Sequence, residues 1–337
     1  MTKKTEAAVS RKRLLLAAIL AFTGIGLVSP ATAQTPAWPT AKPIRFVVSA
    51  AAGSAPDVVT RFISERLRVR LGQTIVVENH GGAGGTIAHE LVARAAPDGY
   101  TMLMSFTGAL TVSPHLYKKL SYDAVRDLAP VIITTSLPNV VLTSTKLPVN
   151  SVQELIAHIK RNPGKLNYAS SSNGTSSHLI MELLKSRTGT HVVHIPFSAA
   201  TGALTSLIGG ETDIYVGLPT PNVNQMVAAG KIRMLAVTSS QRFSLLPQVP
   251  TLTESGISGV EALAWNGVVV PARTPKDIVD RLNREINAVL QMPEVRDQFR
   301  AQGIEPTGGT PEDFAALIRA ENDKWAPIIK RIGLSLD

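Results

Sequence analysis

Runs of β-branched and apolar residues in this chain repeatedly end in a loop of small residues that opens straight into an amphipathic helix. Ile44-Arg45-Phe46-Val47-Val48 leads through small residues 49–55 to a helix begun by Asp57, with Val58, Val59, Phe62, Ile63 and Leu67 on one side. Residues 74–78 run into His80-Gly81-Gly82-Ala83-Gly84-Gly85-Thr86, and a helix through Leu91, Val92 and Ala95 follows. Pro97-Asp98-Gly99-Tyr100 then turns the chain into a strand over 101–104, which ends in Ser105-Phe106-Thr107-Gly108. Strands separated by helices need crossover connections, so the alternation predicts an α/β fold with a parallel or mostly parallel sheet covered on both faces. Ligands of such sheets sit beyond the carboxyl ends of the strands. All of these small-residue loops lie there.

The second half repeats the scheme. Strands are expected over 131–135 and 139–143, and then a helix that Ser151 and Glu154 open as a capping box, with Val152, Leu155, Ile156 and Ile159 apolar. Next comes the most informative loop, Ser170-Ser171-Ser172-Asn173-Gly174-Thr175-Ser176-Ser177-His178, between a strand and a helix carrying Leu179, Ile180, Leu183 and Leu184. Strand 191–194 leads to Pro196-Phe197-Ser198-Ala199-Ala200-Thr201-Gly202 and another helix, and strand 214–216 to Gly217-Leu218-Pro219-Thr220. A strand over 233–237 closes this lobe, and one over 263–270 returns the chain to the first. Thr274-Pro275 and Thr310-Pro311 each place a hydroxyl cap before proline at a helix start. Phe314, Leu317, Ile318 and Trp325 share a face of the last helix, where Trp325 reads as packing. The expected organisation is one lobe from residues 34–143 plus 263–337, a second from 144–262, and hinge crossings near 143 and 263.

The N-terminus carries Lys3, Lys4, Arg11, Lys12 and Arg13, then an apolar run over 14–28, then Ala31-Thr32-Ala33. This is the pattern of a secretory signal peptide over residues 1–33, whose cleavage after Ala33 would leave an exported mature protein of residues 34–337. Removing those five basic residues and Glu6 lowers the formal charge from +9 to +5. The remaining basic residues, such as Arg61, Arg66, Arg68 and Arg70, form a solvated helix face without interleaved aromatics, which argues against nucleic acid. The chain has no cysteine, which excludes disulfides, thiol nucleophiles and thiolate metal sites.

A helix start presents backbone N–H groups without intrahelical partners, together with the positive end of the peptide dipoles. Small residues let an anion approach, so the loop at 170–178 suits a carboxylate or phosphate. The same serines and threonines also suit plain capping, and the two readings stand together at this point. No dinucleotide fingerprint, P-loop, nucleophile elbow, His-Glu-x-x-His or calcium cluster is present, and no metal or cofactor is implied. His178 is the histidine best placed for catalysis, although a lone histidine there more commonly packs or caps. Asp57 stabilises a helix N-terminus as an anion and is a candidate ligand contact.

Gly82-Ala83-Gly84-Gly85, Ala95-Ala96-Pro97-Asp98-Gly99-Tyr100-Thr101, Pro163-Gly164-Lys165-Leu166-Asn167-Tyr168-Ala169-Ser170-Ser171 and Leu235-Ala236-Val237-Thr238-Ser239 carry a resemblance. With these motifs the chain, from Trp38-Pro39 to the last helix, resembles the tripartite tricarboxylate transporter substrate-binding proteins, the Bug family of periplasmic solute receptors. The resemblance implies a two-lobed periplasmic binding protein fold of type II, with a cleft that closes on a small carboxylate. It implies a monomer without cofactor or metal that performs no chemistry and hands its ligand to membrane permease subunits. Two loops act as opposed pincers in the family. By position the first is Gly53, Ser54, Ala55 and Asp57, and the second is Ser171, Asn173, Gly174, Thr175 and Ser176. Thr107, Phe197, Thr201 and Gly217 would line the cleft.

The chain departs from the family in Ala50-Ala51-Ala52-Gly53-Ser54-Ala55-Pro56-Asp57, where a glycine run is usual, and around Gly217, which lacks an acidic neighbour. Pro56 has no N–H to offer, so the second pincer is expected to carry more of the grip. Competing functions are a periplasmic hydrolase or isomerase on the same scaffold, which needs convergent titratable groups in the cleft, and a sensor that presents its closed form to a signalling partner.

Overall fold

The computed structural model describes residues 38–335, so the expected signal peptide lies outside the described residues. The elements in chain order are β1 (Ile44–Val48), α1 (Ala55–Leu71), β2 (Ile75–Asn79), α2 (Thr86–Ala93), β3 (Thr101–Phe106), α3 (Ser113–Leu116), β4 (Leu128–Pro138) and β5 (Val140–Ser144). They continue with α4 (Val152–Arg161), β6 (Asn167–Ser170), α5 (Ser176–Thr188), β7 (Val193–Pro196), α6 (Ala200–Gly209), β8 (Ile214–Gly217), α7 (Pro221–Ala228) and β9 (Ile232–Val237). The chain ends with β10 (Leu263–Pro271), α8 (Lys276–Leu290), α9 (Pro293–Ala301) and α10 (Pro311–Ile332).

The strands form two five-stranded sheets, ordered β2-β1-β3-β10-β4 and β7-β6-β8-β5-β9. In the first, β1 runs parallel to β2 and β3, while β10 is antiparallel to β3 and β4. The second mirrors it, with β6 parallel to β7 and β8, and β5 antiparallel to β8 and β9. Helices carry the crossovers, as the alternation requires. Each sheet buries its own apolar core: Phe46, Met102 and Val268 with Leu282 and Ile286 in the first, Val141, Tyr168 and Leu179 with Leu155 and Ile159 in the second.

The lobe boundaries differ from the expected ones. β5 pairs only within the second sheet, so the chain changes sheets at Asn139, not near residue 143. The return segment meets this crossing at Thr238, whose hydroxyl accepts from the Asn139 N–H (2.9 Å) and donates to the Ala262 carbonyl (2.6 Å). Helix α10 also serves both lobes. Phe314 and Ile318 pack with Trp265 of the first, whereas Trp325, Ile328 and Ile329 pack with the second lobe's core.

Two helix starts depart from the expected caps. Thr274 donates its hydroxyl to the Pro271 carbonyl (2.7 Å), and Pro275 takes the position before α8. At α4 the Ser151 hydroxyl accepts from the Glu154 N–H, but the Glu154 carboxylate reaches back to the N–H of Asn150 instead of closing the box. At α10 both halves of the capping box form, between Thr310 and Asp313.

Candidate functional site

Between the sheets lies a cavity of about 660 Å³ lined by the first residues of α1 and α5, the loop before α5 and the loop before α7. The three starts are not alike. At α7 the Thr220 hydroxyl accepts from the Val223 N–H, an ordinary cap. At α5 the cap residue is Thr175, and its side chain makes no capping bond. It donates to the Ser172 carbonyl (2.7 Å) and meets the Ser177 hydroxyl (2.8 Å). The N–H groups of the first turn of α5, on Ser176, Ser177 and His178, are therefore left for something outside the helix. At α1 the cap residue Ser54 likewise makes no side-chain cap. Pro56 stands at the second helical position, so the first turn of α1 offers the N–H groups of Ala55 and Asp57 only.

The loop before α5 is braced from behind. Ser171 N–H donates to the Ser177 hydroxyl (3.0 Å), and Gly174, at φ +74°, donates its N–H to His178 Nδ1 (3.1 Å). That bond fixes the His178 proton on Nε2. The ring stacks on His194 at 4.0 Å between centroids, and His194 stacks on Tyr168 at 4.7 Å. Ser170 spends its single hydroxyl proton on the Ser172 carbonyl, so His194 Nε2 donates to Ser170 Oγ at 2.6 Å. Burial holds His178 below the ordinary imidazole range, and burial followed by the neighbouring His178 pushes His194 down to about 4. Both rings are neutral at pH 7, and His178 acts here as an acceptor that shapes the loop.

Seven of the sequence-derived residues line the cavity: Ala55, Thr107, Ser171, Asn173, Gly174, Thr175 and Ser176. Thr107 Oγ1 accepts from the Trp265 N–H (2.9 Å), which ties the end of β3 to β10. Gly53, Ser54, Asp57, Phe197, Thr201 and Gly217 do not line it. Gly53 gives its N–H to Asp57 Oδ2 (2.8 Å), and the buried Asp57 also holds Arg61 and Asn79. Burial opposes its ionisation, but Arg61, Gly53 and Asn79 together hold the carboxyl below its usual range. Asp57 thus shapes the first loop. Phe197 packs against the outer core of the second lobe, and Thr201 is exposed on α6. At Gly217 a Cβ would lie 2.5 Å from the Tyr215 ring, so the glycine answers to packing, and the next residues, Leu218-Pro219-Thr220, reach the cavity.

Other lining residues carried no loop signal in the sequence. Leu179 and Ile180 of α5, Leu116 of α3, neighbouring Tyr117, and Trp265 and Trp325 all contribute. Trp325 is both core and wall. Among the described residues, no aspartate, glutamate, lysine, arginine or histidine side chain lines the cavity. Its electrostatics come from backbone dipoles and neutral hydroxyls and amides. No helix of the described residues is long and apolar enough to cross a membrane, and no group of three His, Asp or Glu side chains among them could hold a metal ion.

A family model described as "Tripartite tricarboxylate transporter family receptor" matches residues 59–334. Protein BugT of Bordetella pertussis is 36% identical over 324 residues, covering 94% of this chain and 98% of that protein. The structure of R. palustris Rpa4515 with adipate is 33% identical, covers 88% of this chain and 99% of its own, and superposes with a TM-score of 0.74. MatC (Rpa3494) from Rhodopseudomonas palustris, with bound malate, is 30% identical, covers 87% and 100% respectively, and gives a TM-score of 0.71. The chain belongs to the tripartite tricarboxylate transporter receptor family, and its fold is the two-lobed periplasmic binding protein architecture.

Proposed function

We propose that this member of the family is a periplasmic receptor that clasps the carboxylate of a small organic acid between the N-termini of α1 and α5. It leaves the acid chemically unchanged and delivers it to the permease subunits of a tripartite tricarboxylate-type transporter. The observation that carries the reading is the pair of helix starts, from opposite lobes, that face one cavity without side-chain caps. Uncapped helix N-termini are anion sites. The adipate and malate in the structures of the two relatives agree with a carboxylate. A cavity that no aspartate, glutamate, lysine, arginine or histidine side chain lines among the described residues supports binding without acid–base chemistry. The basic, apolar and small-residue segments of residues 1–33 support export.

Thermal unfolding against a panel of acids and their primary amides tests the proposal. An acid at a hundred times its Kd adds about 2.7 kcal/mol of stability. For a protein of this size that is a rise of about 4 °C in Tm. Amides that shift the melt as far as their parent acids would defeat the carboxylate reading, and turnover of a bound acid would defeat the receptor reading.

A further inference from the structure

Buried and half-buried hydroxyls in the wall of the cavity mostly have protein partners. Thr107 accepts from the Trp265 N–H, Ser171 meets Ser177, and Thr175 meets Ser172 and Ser177. Ser113 and Tyr117 differ. Both line the cavity, and neither hydroxyl has a hydrogen-bond partner among the described residues. Ser113 is only 5% exposed, yet its Oγ is not sealed off by the protein. A hydroxyl this deep calls for a partner, and its open side is the cavity. The two residues stand one helical turn apart and share a face, with the Tyr117 N–H donating to the Ser113 carbonyl (3.1 Å). Their hydroxyls converge beside Gly84, where a Cβ would lie 3.6 Å from the Tyr117 oxygen and 3.8 Å from Ser113 Oγ. Gly84 has φ +65°, a conformation that favours glycine, and so leaves the space in front of both hydroxyls open.

We infer that Ser113 and Tyr117 are the specificity-determining pair of this receptor: their hydroxyls donate to an oxygen at the far end of the acid that the start of α5 holds. The inference rests on the carboxylate reading above. Two O–H groups that meet at one spot suit a single oxygen, which can accept from both. The pair follows β3 of the first sheet and α5 follows β6 of the second, so an acid with oxygen at both ends spans the cleft. No cationic side chain lines the cavity among the described residues, so these neutral donors do the discriminating. A carboxylate or amide oxygen satisfies them. A methyl end leaves them without a partner, at the cost of an unmade hydrogen bond.

Titration calorimetry of the full mature protein, Tyr117→Phe and Ser113→Ala tests the pair. The ligands are succinate, glutarate, adipate and pimelate, each beside the monoacid of the same chain length. The parent binds its best diacid about tenfold or more tightly than the matching monoacid. Each variant lowers that diacid-to-monoacid ratio by about tenfold, the loss of one hydrogen bond to a charged oxygen. A purely structural role would weaken both ligands alike and leave the ratio where it was. An unchanged ratio in both variants, or a parent that prefers the monoacid, overturns the inference and leaves the carboxylate reading standing. The diamide of the best diacid binding as tightly as the diacid, or no acid binding at all, overturns the carboxylate reading itself.

Discussion

Ser176→Pro removes one backbone N–H from the proposed anion cradle and little else. Ser176 is the first residue of α5, a first-turn position whose N–H makes no intrahelical bond and where proline is well accommodated. The preceding Thr175 is extended, at φ −75° and ψ 165°, the conformation that a residue before proline prefers. Folding stability is therefore unchanged or raised by about 0.4–1 kcal/mol. A hydrogen bond to a charged group contributes about 1.5–3 kcal/mol, so the variant loses about 10- to 150-fold in carboxylate affinity. Ser176→Ala is the control. It keeps the N–H and loses only the 3.3 Å bond from Ser176 Oγ to Asn139 Oδ1, which is long for a hydroxyl donor. Calorimetry with the tightest-binding acid, on both variants and the parent, reads the difference, and circular dichroism confirms the fold. A folded Ser176→Pro protein that binds acid as tightly as Ser176→Ala would refute the argument that the start of α5 holds the anion.

Two further predictions concern stability. His89 is fully buried, with Nδ1 donating to the Gly85 carbonyl (2.8 Å) and Nε2 accepting from the Ser105 hydroxyl (2.6 Å). Burial pushes its pKa down to about 4, against 6.5 unfolded, so the unfolded chain binds the extra proton first. This contribution is full above pH 6.5 and falls by up to 1.4 kcal/mol per pH unit as the pH drops toward 4, about 3 kcal/mol in all. Urea unfolding at pH 7, 6 and 5 should show a shallower pH dependence in His89→Gln than in the parent, and equal slopes would contradict the assignment. Thr238→Val leaves the Asn139 N–H and the Ala262 carbonyl without their hydroxyl partner at the crossing. The expected loss is about 2–4 kcal/mol at constant m-value, whereas a loss below about 0.5 kcal/mol would mean that the hydroxyl staple contributes little.

Alternation of β-branched runs with amphipathic segments made the α/β class legible, because periods of 2 and 3.6 leave different imprints on a sequence. The change of sheet at Asn139 left no such imprint. β4 and β5 form a nearly continuous extended stretch, and nothing in their side chains marks which sheet each joins. The double role of α10 was hidden for a related reason: Phe314, Ile318, Trp325 and Ile329 announce an apolar face but not its partners. In the site, loops rich in serine and threonine were easy to find, yet composition does not tell a capped helix start from an open one. Thr220 and Thr175 occupy equivalent positions, and only the first accepts a bond from its own helix. Phe197 and Thr201 follow β7, the outer strand of its sheet, so their loop lies away from the cavity that the central strands address. Leu179, Ile180 and Trp325 border the cavity from within the core, and nothing in the sequence sets them apart from other core residues.

The most direct test of the central claim is a crystal structure of the mature protein grown with its tightest-binding acid. The account predicts the carboxylate oxygens within about 2.7–3.1 Å of backbone N–H groups in the first turn of α5, with the start of α1 closing from the other lobe. A carboxylate held elsewhere by a lysine or arginine side chain, or an acid bound with its carboxylate turned away from α5 into solvent, would contradict it.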